Sequence, residues 1–334
     1  VFCGGFPYAG GMRIAGLLLS LALLAAGQKM NLPMNEASIR GLKPGQFLWK
    51  PELAAAGPMV LLVSIPEQRA FVYRNGVAIG VSTVSTGKKG HETPTGVFTI
   101  LQKDAKHHSN LYNNAPMPYM ERLTWGGVAL HAGNLPGYPA SHGCVRMPLE
   151  FAKLLFFETA MGTTVVVAGE KAEQAELSHP GILAPVDPKG NEAALETAWM
   201  PEKAPEGPVS LVVSAADRKA YVFRNGVLIG SSAIEIAGAE QGLGEAVFTR
   251  LEGSSGTPSQ FVAGQAAYRW MSMSREVKTL QQTQIAGRIR VPGDFAQKVY
   301  AVLGPGATIV VTDGAADPSR RTEPGFTILD SGTH

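Results

Sequence analysis

The chain has 334 residues, of which 45% are hydrophobic and 17% charged, so it is long enough for two globular domains. Its formal net charge of +2 provides no basic surface of the kind that nucleic-acid-binding proteins need. Nucleic acid is therefore excluded as an expected partner.

The N-terminal segment has the layout of a secretory signal. Arg13 precedes an apolar run over 14–26, and small and polar residues follow. The run is shorter than the about 20 residues of a membrane-spanning helix. We expect a signal peptide over 1–28, with Met12 as the true start. An uncleaved anchor is the alternative. Export to the periplasm or cell envelope follows, with membrane contact only during export.

After signal removal the chain would carry one cysteine, Cys144. An exported protein with a single thiol cannot form an internal disulfide. Cys144 is therefore either a reactive thiol or a small buried hydrophobe.

Two long segments of the chain are repeated. Residues 57–80 recur as 207–230, a shift of 150, and residues 146–155 recur as 290–299, a shift of 144. The first pair predicts two strands joined at an Asn-Gly turn, and the second predicts a helix that begins at a proline. We predict a mainly β protein with two β-rich domains of common ancestry, each with a short helix.

The repeat also sets the predicted domain bounds. In chain order they are an N-terminal extension at 29–56, a first domain at 57–169, a linker rich in Ala, Glu and Pro at 170–205, a second domain at 206–313 and a C-terminal tail at 314–334.

The motif SHGCVRMP at 141–148 aligns with IAGRIRVP at 285–292. The second copy keeps the glycine, the arginine and the proline. It replaces the reactive side chains: Ala286 stands for His142, Arg288 for Cys144 and, in a looser alignment, Arg275 for His131. This difference indicates chemistry in the first domain and a catalytically inactive second domain.

These residue types point to nucleophilic catalysis. Cys144 would attack as a thiolate, which near neutral pH needs a lowered pKa or an adjacent base. His131, after an apolar strand-like run, is our choice of base, while the direction of His142 is open. Gly143 serves either as a turn glycine or as an amide donor to an oxyanion. Arg146 either binds a substrate carboxylate or is structural, since the second copy keeps it as Arg290.

Residues 57–169 resemble the catalytic domain of the L,D-transpeptidases, the YkuD family. That family's signature is a histidine, a loop of variable length, and Ser/Thr-His-Gly-Cys followed by Val or Ile and commonly Asn or Arg. The matching segments here are His131, Ser141-His142-Gly143-Cys144-Val145-Arg146, Ser85-Thr86-Gly87, Thr93-Pro94-Thr95-Gly96-Val97-Phe98 and Pro118-Tyr119.

The resemblance implies a β-sandwich enzyme that remodels peptidoglycan without a metal or another cofactor. Cys144 would form a thioester with a donor stem peptide, and His131 would take the thiol proton while the carbonyl of Ala132 orients its ring. An acceptor amine on a second stem peptide would then resolve the thioester. The amides of the His142-Gly143-Cys144 segment would hold the oxyanion, with Ser141 in support. The residues expected in substrate binding are Arg146, Tyr119, Trp125, Pro136 and Pro139.

Several alternatives stay open. Water as acceptor would make a carboxypeptidase or cross-link hydrolase, and a protein lysine would make an anchoring enzyme. The donor is diaminopimelate by family default or L-Ala as a variant. A zinc site could use His131, His142 and Cys144 together with His107-His108, although this adjacent pair is more typical of a solvated loop. A non-enzymatic wall-binding protein is the remaining class. The second domain is expected to brace the first or to bind the wall or a wall-associated protein.

Overall fold

The computed structural model describes residues 27–110, 113–169, 176–178, 183–185, 195–259, 264–274 and 287–316. Residues 1–26 of the predicted signal peptide, most of the C-terminal tail, Arg275 and Ala286 lie outside the described residues. Within the described residues no helix has the length and apolar character to cross a membrane.

The first unit, residues 27–169, contains two sheets. One has seven strands in the order β1-β2-β5-β4-β3-β11-β6, and the other has four in the order β10-β9-β8-β7. The strands are β1 Gln28–Lys29, β2 Gln46–Trp49, β3 Met59–Ser64, β4 Arg69–Arg74, β5 Val77–Thr83, β6 Gly96–Thr99, β7 Gln102–His108, β8 Pro116–Arg122, β9 Ala129–Ala132, β10 Val145–Met147 and β11 Thr164–Ala168. The helices are α1 Glu36–Arg40 and α2 Leu149–Glu158.

The core of the first unit lies between its two sheets and α2. Trp49 of β2 packs edge-on against Phe151 of α2, with ring centroids 5.5 Å apart. Gly80 makes room for this indole, because a Cβ there would lie 2.6 Å from Trp49 Cε3. Val145 and Leu130 are fully buried in the same core. The strand that precedes the helix is therefore fixed by its core-facing residues.

The second unit, residues 195–316 with the short strands β12 and β13 added, repeats this order of elements. It has an eight-stranded sheet in the order β12-β20-β19-β22-β15-β16-β17-β14 and a small sheet in the order β13-β21-β18. The strands are β12 Glu176–Ser178, β13 Leu183–Pro185, β14 Thr197–Trp199, β15 Val209–Ser214, β16 Lys219–Arg224, β17 Val227–Ala233, β18 Glu235–Ile236, β19 Ala246–Pro258, β20 Ala266–Ser274, β21 Ile289–Val291 and β22 Thr308–Thr312. The helix is α3 Gly293–Val302.

The second unit also repeats the packing of the first. Trp199 stands edge-on to Phe295 at 6.0 Å, and a Cβ on Gly230 would lie 2.5 Å from the Trp199 ring. Both units thus use a tryptophan, a glycine and a helical phenylalanine in the same arrangement. The described residues are predominantly in strands, which confirms the predicted mainly β fold.

The structure places strands in two segments that the sequence assigns to an extension and a linker. β2 lies within 29–56 and pairs with β5, and β14 lies within 170–205 and pairs with β17. A sequence signal exists for this: Trp49-x-Pro51-Glu52 recurs at a shift of 150 as Trp199-x-Pro201-Glu202. Each repeated unit therefore begins before the hairpin that reveals the repeat.

The two units pack against each other through their main sheets. Val60, Leu62 and Val166 of the first unit share an apolar cluster with Met271 and Met273 of β20. At the centre of the contact Thr164 Oγ1 lies 2.8 Å from Thr308 Oγ1. These threonines are equivalent in the repeat, so the contact has approximate twofold symmetry within one chain.

A buried ion pair anchors the C-terminal end of α2. Lys103 Nζ donates to Thr159 O at 2.6 Å and lies 3.5 Å from Glu121 Oε1, whose side chain is fully buried. Burial raises the pKa of Glu121, and the hydroxyl of Thr159 and the charge of Lys103 oppose this rise.

Replacing Lys103 with methionine is expected to lower the free energy of unfolding by about 3 kcal/mol, because it leaves the Glu121 carboxylate buried without its partner. Urea denaturation at neutral pH measures this. The deficit should shrink in acid, where Glu121 takes a proton and the uncompensated charge disappears. Lys106→Met, at an exposed position of the same strand, is the control. An equal loss in both variants would contradict the role of the pair.

Candidate active site

The adjacent parallel strands β9 and β10 carry the residues of the predicted site. Their register places Arg146 beside His131 and Val145 beside Leu130. Val145 and Leu130 point into the core, so the alternation of side chains along a strand directs His131 and Arg146 to the other face. Cys144, one residue before β10, packs on that same outer face against Met120 and Ala129.

The imidazole of His131 is held by its own strand. Nδ1 donates to Ala132 O at 2.8 Å, which leaves Nε2 as the acceptor nitrogen. Burial lowers the pKa of His131 to about 4, and the positive charges of Arg146 and His107 act in the same direction, while the bond to Ala132 opposes them. His131 is therefore a neutral base at neutral pH.

Cys144 is a partly buried thiol next to the β8–β9 turn. Its Sγ donates to Gly127 O at 3.5 Å. Burial raises the pKa of Cys144, and the amide of Ala129 and the charges of Arg146 and Arg122 oppose the rise. The resting pair is thus a thiol and a neutral imidazole, so proton transfer has to accompany attack on the substrate. Gly127 and Arg122 were not identified from the sequence as neighbours of the sulfur.

Ser141 holds the turn that carries the cysteine. Its Oγ donates to Cys144 O at 2.5 Å and accepts from the Gly143 amide at 3.1 Å. Gly143 has φ +112°, a conformation that favours glycine. The expectation that the Gly143 amide holds the oxyanion stays a prediction, and in the resting site this amide donates to Ser141 Oγ. The amide of Cys144 has no acceptor among the described residues.

His142 lies at the rim of the site, where its ring contacts another histidine. Its ring stands edge-on to that of His91, with centroids 4.8 Å apart. Gly87 begins the loop that carries His91, and a Cβ there would lie 2.0 Å from His91 O. The backbone of this loop therefore packs tightly. His91 directly precedes Glu92 and the TPTG segment, which was the only sequence signal for its presence here.

The structure separates the residues expected to bind substrate. Arg146 lies beside His131, and its stem passes over Gly133, where a Cβ would lie 2.9 Å from Arg146 Cγ. Pro136 is half-buried and Pro139 exposed in the loop that leads to Ser141. Both prolines lie in the segment next to the site, as the sequence order requires.

Tyr119 and Trp125 lie in different surroundings. The ring of Tyr119 packs against Phe156 and Phe157 of α2, at 5.7 and 6.3 Å between centroids. This contact puts it on the core side of the sheet, opposite the face that carries Cys144. Trp125 is 44% exposed and lines a groove between the two units. The roles of Tyr119 and Trp125 in substrate binding stay predictions.

The two adjacent histidines of the alternative zinc site lie on strand β7, not in a solvated loop. His107 Nδ1 lies 3.5 Å from Asp104 Oδ2, and His108 Nδ1 donates to Lys106 O at 3.0 Å. In the part of the chain that the structure describes, no three His, Cys, Asp or Glu side chains converge as ligands of a metal ion.

The rate of Cys144 acylation is expected to be constant from about pH 5 to 8 and to fall as the pH drops through about 4, because protonation removes the base. The same shift makes the fold less stable between pH 6.5 and about 4, since the unfolded chain binds the proton more tightly. Single-turnover acylation measured by intact-protein mass spectrometry, with circular dichroism at each pH, tests this. A midpoint near 6.5 would contradict it.

Comparisons with known proteins show what the first unit is similar to. Residues 58–167 match the family model described as the L,D-transpeptidase catalytic domain, YkuD. No curated protein matches the sequence.

Three similar solved structures are L,D-transpeptidases. The one from Stackebrandtia nassauensis is 28% identical, with 35% of this chain and 58% of that chain covered and a TM-score of 0.32. The one from Mycobacterium tuberculosis H37Rv is 24% identical, covering 33% and 57% at 0.32. The C442S mutant from Enterococcus faecium is 26% identical, covering 34% and 50% at 0.31. The chain thus spans 50% to 58% of the length of these three proteins.

Proposed function

Starting from the L,D-transpeptidase catalytic domain at residues 58–167, we propose that the protein is an exported enzyme that joins peptidoglycan stem peptides through a thioester on Cys144. One observation carries the proposal. His131 and Cys144 share the outer face of two adjacent strands, and the bond from Nδ1 to Ala132 leaves Nε2 of the imidazole ready to accept a proton.

In the first half-reaction the sulfur attacks the carbonyl carbon of a donor amide while the thiol proton passes to His131 Nε2. The amide of Cys144, which has no acceptor within the described residues, donates to the oxyanion that forms. When the C–N bond breaks, the imidazolium returns the proton to the leaving amine. The charge of Arg146 stabilises the sulfur anion and offers a site for a carboxylate of the donor.

In the second half-reaction the amine of an acceptor stem peptide attacks the thioester carbonyl. His131 takes a proton from that amine, the C–S bond breaks, and the sulfur regains its proton. The product is a cross-link, and the free enzyme is restored. No nucleotide is consumed, because the energy of the donor amide is kept in the thioester.

The second unit supports the first rather than catalysing. At the position equivalent to Cys144, the guanidinium of Arg288 donates to Ala237 O at 2.9 Å, Gly242 O at 2.8 Å and Gly238 O at 2.5 Å. These bonds connect the loop of the second unit to the start of β21. The arginine that makes them occupies the position where the first unit has its cysteine. We assign to this unit a degenerate, bracing role.

The test incubates the purified protein with a defined donor tetrapeptide and an acceptor stem peptide. Mass spectrometry of the products and of the intact protein follows. The expected result is an acyl adduct on the peptide containing Cys144 and a cross-linked dimer. If hydrolysed donor were the sole product, the enzyme would be a hydrolase and not a transpeptidase. An unmodified protein with unreacted peptides, despite a folded circular dichroism spectrum, would overturn the acyl-enzyme proposal.

A further inference from the structure

Strand β6 of the first unit and strand β19 of the second occupy equivalent positions in the repeat. The Ile100 amide donates to Thr163 O at 3.0 Å, and the equivalent Arg250 amide donates to Ala307 O at 2.8 Å. Each strand is thereby fixed against the last strand of its own unit, β11 or β22. β6 therefore pairs with β11 in the same register as β19 pairs with β22. Equivalent residues of the two strands direct their backbone groups to the same side.

The opposite edges of these two strands differ. β19 runs on to Pro258 and is paired along its other edge by β20. β6 ends at Thr99, and the next strand, β7, belongs to the second sheet of its unit. Among the described strands β6 therefore pairs with β11 alone.

The open edge of β6 offers unsatisfied backbone groups. In an antiparallel ladder, alternate residues direct both N–H and C=O to the same partner. Since Ile100 bonds towards β11, Phe98 does too, and Val97 and Thr99 direct their groups to the open edge. Their equivalents in β19, Val247 and Thr249, are paired with Met273 and Met271 of β20.

A groove of about 1130 Å³ runs along this edge between the two units. It is lined by consecutive residues of β6, as expected where a groove meets a strand at its edge. The facing wall is formed by side chains of the second unit's main sheet, including Val212, Phe223 and Val310. The equivalent face of the first unit, around Leu62 and Val166, is covered by β19 and β20.

We propose that this groove binds an extended segment of a partner protein, with apolar residues at alternate positions, as an added strand antiparallel to β6. The segment would bond Val97 and Thr99 through its backbone and pack its apolar side chains on the wall around Val212. The choice of occupant rests on the repeat. At the equivalent edge, β20 pairs with β19 through Met271 and Met273 and packs these two side chains on the sheet of the first unit. The groove is continuous with the established core between the units, with which it shares Leu62 and Val166. This inference does not depend on the proposed enzymatic activity.

A synthetic peptide copying β20, residues 266–274 (AAYRWMSMS), is the probe, and the full chain is the target. We expect saturable binding by fluorescence anisotropy. N-methylation at the positions of Met271 and Met273, whose backbones would bond β6, should weaken binding at least about tenfold, or 1.4 kcal/mol. N-methylation at the position of Ser272 is the matched control, because that backbone faces away, and it should leave the affinity unchanged.

A second arm uses the protein. Val212→Asp places a charge on the groove wall and should weaken binding of the unmodified peptide, with folding checked by thermal melting. No binding to the folded protein, or equal effects of all N-methyl positions, overturns the proposal. Binding that appears only after deletion of 317–334 would assign the groove to the chain's own tail. A dimer that the peptide dissociates would assign it to a second copy. Either result also overturns a partner protein as the occupant.

Discussion

Replacing Cys144 with alanine is expected to lower the rate of acyl transfer by about 10⁴-fold or more, the scale on which removal of a catalytic nucleophile acts. The reason is specific to this site. The variant keeps the turn held by Ser141 and the amide of residue 144, but it has no sulfur to accept the acyl group. The thiol donates to Gly127 O at the long distance of 3.5 Å, so the fold should be unaffected.

Two measurements separate this result from trivial loss of function. One is cross-linking of defined stem peptides, and the other is covalent modification by a carbapenem, which acylates an active-site nucleophile. The wild type should gain the mass of one carbapenem, and Cys144→Ala should gain none. Modification of the alanine variant at the same rate would show that another residue is the nucleophile.

Replacing His131 with glutamine is expected to slow acylation by about 10²- to 10⁴-fold, the usual contribution of a general base. Glutamine can still donate to Ala132 O, so the variant tests the basic nitrogen rather than the strand that carries it. Because the fall in rate near pH 4 belongs to this imidazole, it should disappear from the pH profile of the variant. Remaining activity should instead rise with pH as the thiolate forms.

His142→Gln is the matched control for this prediction. The ring of His142 stands edge-on to that of His91, with centroids 4.8 Å apart, and His142 precedes Cys144 in the same turn, whereas His131 lies on the neighbouring strand β9. We expect a smaller rate loss and an unchanged fall near pH 4. If the two glutamine variants were equally slow, or if His142→Gln alone removed the fall near pH 4, the assignment of His131 as base would be wrong.

The sequence predicted the strands around each Asn-Gly turn and the helices after Pro148 and Pro292, and the structure contains them. These features depend on neighbouring residues: positive φ at the turn, and a proline that fits the first turn of a helix. The short segments over 29–56 and 170–205 carry weaker local signals. There β2 and β14 exist because a tryptophan packs against a distant glycine and phenylalanine.

By itself, the sequence determined the mainly β class, the repeat and the likeness of residues 57–169 to a cysteine acyltransferase, because local periodicity and a spaced motif encode them. Only the tertiary structure decided which backbone groups remain free to bind a substrate or a further strand, and which way the side chains of each strand face. Ser141 takes the Gly143 amide, the face of β8 turns Tyr119 to the core, and the departure of β7 leaves the edge of β6 open. The physical reason is that strand parity and hydrogen-bond partners are set between segments far apart in the chain.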